Sequence, residues 1–203
     1  MNAYEIILSK QIQWARNKGY ELIGSKGERG RQAYTKSLEE NLFEPLAKST
    51  RKQFESGDGN EIQGSPESPS KMQALHSSSA LAVNIFQYWQ RKALPNVITA
   101  ACGFCNKGSE YVSQIDFERK FPIRSKFIVP PNVDVVLSGE EKVKQYLFAI
   151  ECKFTEAYSS ERHPGLKDKY LLEENLWSKL PNLHLLANKI NPKDSEFEFL
   201  HAA

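Results

Sequence analysis

The sequence predicts an α/β protein of the α+β kind, with a central sheet flanked by helices and a helical extension at the N-terminus. Three observations predict it. Apolar residues recur at helical spacing in four stretches, residues 114–154 switch to strand-like patterning, and a stretch rich in Gly, Pro and Ser at 56–70 separates the first helices from the rest. At 203 residues, 40% of them hydrophobic, the chain has room for one domain with an extension and enough apolar material for a core. The expected organisation is a helical extension over 1–55, a flexible linker over 56–70 and the main domain over 71–203.

Tyr4, Ile7, Leu8, Ile12 and Ala15 form one helical stripe, and Gly19 stands where a C-terminal cap belongs, so a helix is expected from Asn2 to Lys18. The glycines and alternating charges of residues 24–31, GSKGERGR, predict a loop. Leu38, Leu42 and Leu46 recur every fourth residue and predict a helix that Pro45 ends or kinks near Phe43 or Glu44. Residues 56–70, SGDGNEIQGSPESPS, offer too little apolar surface to offset the entropy of ordering them. Beyond them, Leu75, Ala82, Ile85, Phe86 and Trp89 line a helix expected over Lys71–Arg91, which Pro95 must terminate.

Gln114–Phe121 alternates apolar with polar residues, Val133–Leu137 is a short β-branched run, and Tyr146–Phe154 is a mostly apolar third strand. Ser138–Glu141 supplies a turn between the last two. Short connections make an antiparallel meander the economical arrangement. Leu166, Tyr170, Leu171, Leu176, Trp177 and Leu180 then predict a helix stopped by Pro181. The final FEFLHAA reads as the opening of an amphipathic helix, so the main domain is expected to be cut short at its C-terminus.

With 27 basic against 25 acidic side chains, the net charge of +2 excludes both an acidic tail and a histone-like basic coat. Contact with nucleic acid must then come from a local patch. No apolar run approaches the roughly 20 residues that span a bilayer, and Lys10 interrupts the run after Leu8 too early for a signal peptide. The expected location is the cytoplasm, with no membrane partner. Three cysteines do not make a disulfide framework, and Cys102 and Cys105 have zinc-ligand spacing without a second ligand pair, so free thiols in or near the core are expected. His76 and the three serines after it suit helix capping better than a nucleophile and base, because no acidic partner orients the ring.

Two carboxylates stand where a buried strand should exclude them. Asp134 is flanked by Val133, Val135 and Val136, and Glu151 by Ile150 and Cys152. An ionised carboxylate in such surroundings costs several kcal/mol unless it is compensated. Alternation puts Glu151 and Lys153 on one face, and a neighbouring strand brings Asp134 level with them. Two carboxylates and an ammonium on one face can hold Mg²⁺, which takes one or two carboxylates and keeps waters and open positions for phosphate oxygens. The chemistry implied is hydrolysis of a phosphodiester. The structural alternative is a cross-strand ion pair.

Asp134, followed after sixteen intervening positions by Glu151-Cys152-Lys153, resembles the D…(D/E)-x-K signature of the PD-(D/E)XK nuclease superfamily, although the prolines lie at 130 and 131 rather than directly before the aspartate. Residues 34–46, 54–59 and 71–81 look similar to a group of little-characterised bacterial proteins described as restriction endonucleases. The likeness runs from about residue 20 onward. It implies a restriction-endonuclease-like mixed central sheet flanked by helices, and Mg²⁺-dependent cleavage of DNA, with Mn²⁺ as a second cation. It also implies Asp134 and Glu151 as metal ligands, the backbone carbonyl of Cys152 as a further ligand, and Lys153 as the catalytic lysine.

Many members of that superfamily add an acidic residue from the first core helix. Lys71–Arg91 has none, so Glu118 is the substitute candidate. Arg162, Lys167 and Lys169, with Arg29 and Arg31 on the glycine-rich loop, are candidates for DNA-backbone contacts, or else an ordinary charged surface. A homodimer is one option for cutting both strands. The second functional reading is a nuclease fold without turnover that binds nucleic acid or protein.

Overall fold

The computed structural model describes residues 3–24, 33–65, 67–106, 111–123, 130–155 and 167–189. One compact unit spans Glu5–Phe154, and the helices beyond Thr155 belong to a second. The fold is mixed α+β, with two small antiparallel sheets.

Helix α1 (Ala3–Asn17) buries Leu8 and Ala15 from the expected stripe. Gly19 closes it in the left-handed region at φ +79°, and Tyr20 N–H reaches back to the Ala15 carbonyl at 3.0 Å. Strands β1 (Leu22–Ile23) and β2 (Tyr34–Thr35) then pair antiparallel, a feature the sequence pattern did not signal.

The helix expected through Leu38, Leu42 and Leu46 does not form. One 3₁₀ turn covers Glu39–Asn41, after which Leu42 is extended. Side-chain amides compete successfully for this backbone: Asn84 accepts from Phe43 N–H at 2.6 Å and donates to the Asn41 carbonyl at 3.0 Å. Gln87 likewise takes Ala47 N–H at 2.9 Å and donates to the Pro45 carbonyl at 3.1 Å. Leu42 and Leu46 still reach the core, in extended chain.

Helix α2 (Lys48–Ser56) buries Thr50 and Phe54. The 56–70 stretch that follows is tied down at several points within the first unit. Met72 N–H donates to the Glu61 carbonyl at 2.9 Å, Lys120 pairs with Asp58 at 2.8 Å, Ser65 and Ser68 bridge each other, and Ile62 packs on the core. Composition alone could not show these tethers. The helix expected over Lys71–Arg91 is split into a 3₁₀ turn at Lys71–Gln73, closed by a Ser70–Gln73 capping box, and helix α3 (Ser78–Arg91). Ser77 Oγ caps α3 by accepting from Ala80 N–H at 3.1 Å. Pro95 then opens helix α4 (Pro95–Ala101) as its first residue, where a missing N–H costs nothing.

The expected meander forms. Strands β3 (Val112–Lys120), β4 (Asn132–Glu141) and β5 (Lys144–Ile150) pair antiparallel in that order, and the sheet as described contains no parallel pair. The predicted turn at Ser138–Glu141 is strand instead, and the hairpin closes at Lys142 and Val143, with Lys142 at φ +56°. Opposed residues share a face, so Ile115, Leu137 and Phe148 form one row and Phe117, Val135 and Ile150 the next. These rows pack with Phe54, Met72, Phe86 and Ile98 in a single apolar cluster. The Phe54 and Phe117 rings lie 5.9 Å apart.

The opposite face carries Gln114, Ser138 and Leu147 in one row and Asp116, Val136 and Ala149 in the next. The outer edge of β3 is closed by amides from the helices. Gln53 Oε1 accepts from Phe117 N–H at 3.0 Å, and Gln90 Nε2 donates to the Ile115 carbonyl at 2.6 Å.

In the second unit the single helix expected before Pro181 is two short ones, α5 (Asp168–Leu171) and α6 (Glu174–Trp177). Pro181 instead begins a further helix, α7 (Pro181–Lys189). Trp177 stacks on His184 at 4.9 Å and donates to the Tyr170 carbonyl at 2.8 Å. The C-terminal FEFLHAA lies outside the described residues.

Candidate active site

Asp134 is held in the middle strand by a register that also fixes its neighbours. Val135 pairs with Phe117 on one side and with Ile150 on the other. One step along, Asp134 stands level with Glu118 of β3 and with Glu151 just past the end of β5. Strand β5 stops at Ile150 rather than Phe154, so the Glu151-Cys152-Lys153 segment follows the strand instead of lying in it. Asp134 replaces the missing ladder bond, its Oδ2 accepting from Cys152 N–H at 2.7 Å. Lys153 Nζ lies 3.3 Å from Glu151 Oε2.

Glu118 interrupts the β3 ladder, which pairs Phe117 and Arg119 but skips the residue between them. Its φ of +50° is a strained conformation for a side chain of this size. Its Oε2 accepts from Asn132 Nδ2 at 3.2 Å and faces Gly57, where an added Cβ would stand 3.3 Å from that oxygen. Burial is the main force pushing the Glu118 carboxyl up, to about 7, and the charges of Asp134, Glu61 and Glu151 push the same way against the Asn132 bond.

Sequence patterning does not single out Glu61. It comes from the glycine-rich stretch after α2, and its Oε1 pairs with Lys71 Nζ at 3.1 Å while its Oε2 accepts from Ser79 Oγ at 3.2 Å. The available signal was Ile62, the lone aliphatic residue in that stretch, whose burial draws Glu61 inward with it.

Three carboxylates, Glu61, Asp134 and Glu151, therefore act on Glu118 here, with Lys71 paired to Glu61 and Lys153 to Glu151. Among the described residues no three His, Cys, Asp or Glu side chains form a ready-made metal cage. The donor set is all oxygen, and the proton retained by Glu118 marks a place short of positive charge. That fits a cation bound by one or two carboxylates with waters completing its shell, as Mg²⁺ is, better than a cation needing a full protein cage.

The Cys152 thiol is pushed up to about 12 by burial first, then by Asp134 and Glu151, so it remains protonated and is no nucleophile. Its backbone carbonyl as a ligand stays an expectation. Cys102, Cys105 and Cys152 are all free thiols, but Cys102 is exposed at the end of α4 rather than in the core. The His76 ring meets Tyr34 edge-on at 6.3 Å. Of the basic candidates, Lys167 precedes α5 and Lys169 lies in it, with Nζ 4.9 Å from the Tyr170 ring. Arg29, Arg31 and Arg162 lie outside the described residues. No described helix is long and apolar enough to cross a membrane.

The model of a family described as restriction endonuclease associating with ARP matches residues 8–196 of the chain. No curated protein and no solved structure matches it.

Proposed function

Because the chain belongs to the family described as restriction endonuclease associating with ARP, we propose that it is an Mg²⁺-dependent DNA endonuclease, with Mn²⁺ as an alternative cation, whose centre is Asp134, Glu151 and Lys153. The observation that carries this reading is the register that brings Glu118 of β3, and Glu151 just past the end of β5, level with Asp134 of β4. When bound, the divalent ion would supply Lewis-acid polarisation of the scissile phosphate and a more acidic water.

The chain's own residues hold and orient. With Oδ2 engaged by Cys152 N–H, Asp134 offers Oδ1 as its ligand atom, and the same bond fixes where Glu151 and Lys153 stand. Lys153, 3.3 Å from Glu151, is placed to direct the attacking water and to offset the negative charge that builds on the phosphoryl oxygens. Water adds to phosphorus as the ester oxygen leaves and takes up a proton. Glu118 and Glu61 set the local potential, and Glu118 is the further ligand at pH values where it is ionised. Two such centres are needed to cut both strands of a duplex, so a homodimer is the assembly this reading favours.

Incubation of supercoiled plasmid with the purified chain tests the proposal. Cleavage is expected in Mg²⁺ or Mn²⁺ and not in EDTA, and Asp134→Ala or Lys153→Ala should reduce it at least about a hundredfold while leaving DNA binding in EDTA largely intact. A wild-type chain that binds DNA in a salt-dependent way and cuts nothing would be the non-catalytic nuclease fold instead.

A further inference from the structure

A cavity of about 1040 Å³ is walled by residues from both faces of the sheet, Gln114, Asp116 and Leu147 from the face away from the core and Phe117 and Tyr146 from the other, and Glu118 belongs both to its wall and to the acidic site. Asp134, Glu151 and Lys153 are not in its wall, so what fills it meets the acidic site through Glu118. Its charged lining is Asp116, Glu118 and Glu140 against Arg119 and Lys120, the two residues that follow Glu118 in sequence. A phosphate backbone running the length of the cavity would meet Glu140 with no cation of the lining beside it, whereas Arg119 lies 3.5 Å from Asp116. Uncharged groups meet no such penalty.

The remaining walls are suited to flat, hydrogen-bonding rings. Tyr111 and Tyr146 stack at 4.2 Å and give a stiff aromatic surface. Two amides are held in fixed orientation by carboxylates. Gln114 Nε2 donates to both oxygens of Asp116 at 2.8 and 2.9 Å, and Gln145 Nε2 donates to Glu140 at 3.3 Å. With the NH₂ groups so engaged, each glutamine presents its Oε1 as an acceptor. An acceptor of this kind meets the exocyclic amino group of adenine or cytosine.

We propose that this cavity is the base-contacting subsite of the same centre, in which Gln114, level with Ser138, and Gln145, level with Glu140, select amino-bearing bases roughly four to six base pairs from the scissile phosphate. This rests on the endonuclease reading, and the test separates the two. A duplex library randomised around a fixed length is cleaved in Mg²⁺ by the wild type, Gln114→Ala and Gln145→Ala. In parallel, the same library is selected for binding in Ca²⁺ by these chains.

The expected result is a wild-type preference for A or C roughly four to six base pairs from the cut that falls about tenfold in at least one variant. Cleavage whose base preference is unchanged in both variants overturns the subsite and leaves the endonuclease standing. Should the wild type cut nothing, the binding arm decides. Base-selective binding relaxed by the variants supports the subsite without the enzyme. Unselective binding, or variants weakened equally on every sequence as loss of a phosphate contact would be, overturns it. Far-ultraviolet circular dichroism of each variant is compared with the wild type, and Gln114→Met, which keeps the length of the side chain and removes the acceptor oxygen, provides a second variant should alanine unfold the strand.

Discussion

At Glu118, burial and three neighbouring carboxylates act in the same direction, and the side chain keeps its proton up to about pH 7. The ordinary value for this group is 4.5, so between 4.5 and about 7 the folded chain holds a proton that the unfolded chain has released. Stability contributed by that proton is complete below 4.5 and is lost as the pH rises through about 7. Urea midpoints measured across this window should fall with rising pH in the wild type and stay flatter in Glu118→Gln, with the variant the more stable above pH 7. An identical slope in both chains would remove Glu118 as the source. The same proton competes with a cation, so Mg²⁺ should raise the melting temperature more at pH 8 than at pH 6, and this difference should disappear in Glu118→Gln.

The elements show what keeps that row of carboxylates in register. Strand β3 is an edge strand, and its outward groups are taken by Gln53 of α2 and Gln90 of α3. Gln53 also donates to Asp116 at 2.9 Å, so Gln53→Ala leaves both Phe117 N–H and the Asp116 carboxylate without that partner. A loss of about 1–3 kcal/mol is expected from the shift in urea midpoint, with aggregation through the opened edge. A change below about 0.5 kcal/mol would mean that water replaces the amide without cost.

These glutamines also mark the limit of what the sequence disclosed. The strands were legible because Val133–Leu137 and the 114–121 alternation have periods that few other structures share. The Leu38-Leu42-Leu46 spacing misled, because side-chain amides from a helix forty residues away outcompete the local helical bonds. The site divides in the same way. Asp134 and Glu151 were visible as charges among aliphatic residues, whereas Glu61 lies in a composition that reads as disorder until Lys71 and Met72 fasten it.

For the molecule as a whole, a net charge of +2 gives no strong long-range pull on DNA, so the local balance at the site governs approach. That balance is unfavourable without a cation, since Glu61, Glu118, Asp134 and Glu151 meet a phosphate with like charge while Lys71 and Lys153 are already paired. Removing one such charge about 6 Å from a phosphate relieves roughly 0.7 kcal/mol in water, or about threefold in affinity. Glu151→Gln should therefore bind a DNA duplex about threefold more tightly than the wild type in EDTA at pH 8 and low salt, and the advantage should shrink as salt rises. Ca²⁺ should reverse the order, because the wild type regains through the bound ion what its carboxylates cost it in EDTA, and the variant has one ligand fewer. Fluorescence anisotropy of a labelled duplex reads both conditions. Weaker binding by the variant in EDTA would show that Glu151 supports DNA contact by some route other than a cation, and the metal-centred reading of this site would have to be abandoned.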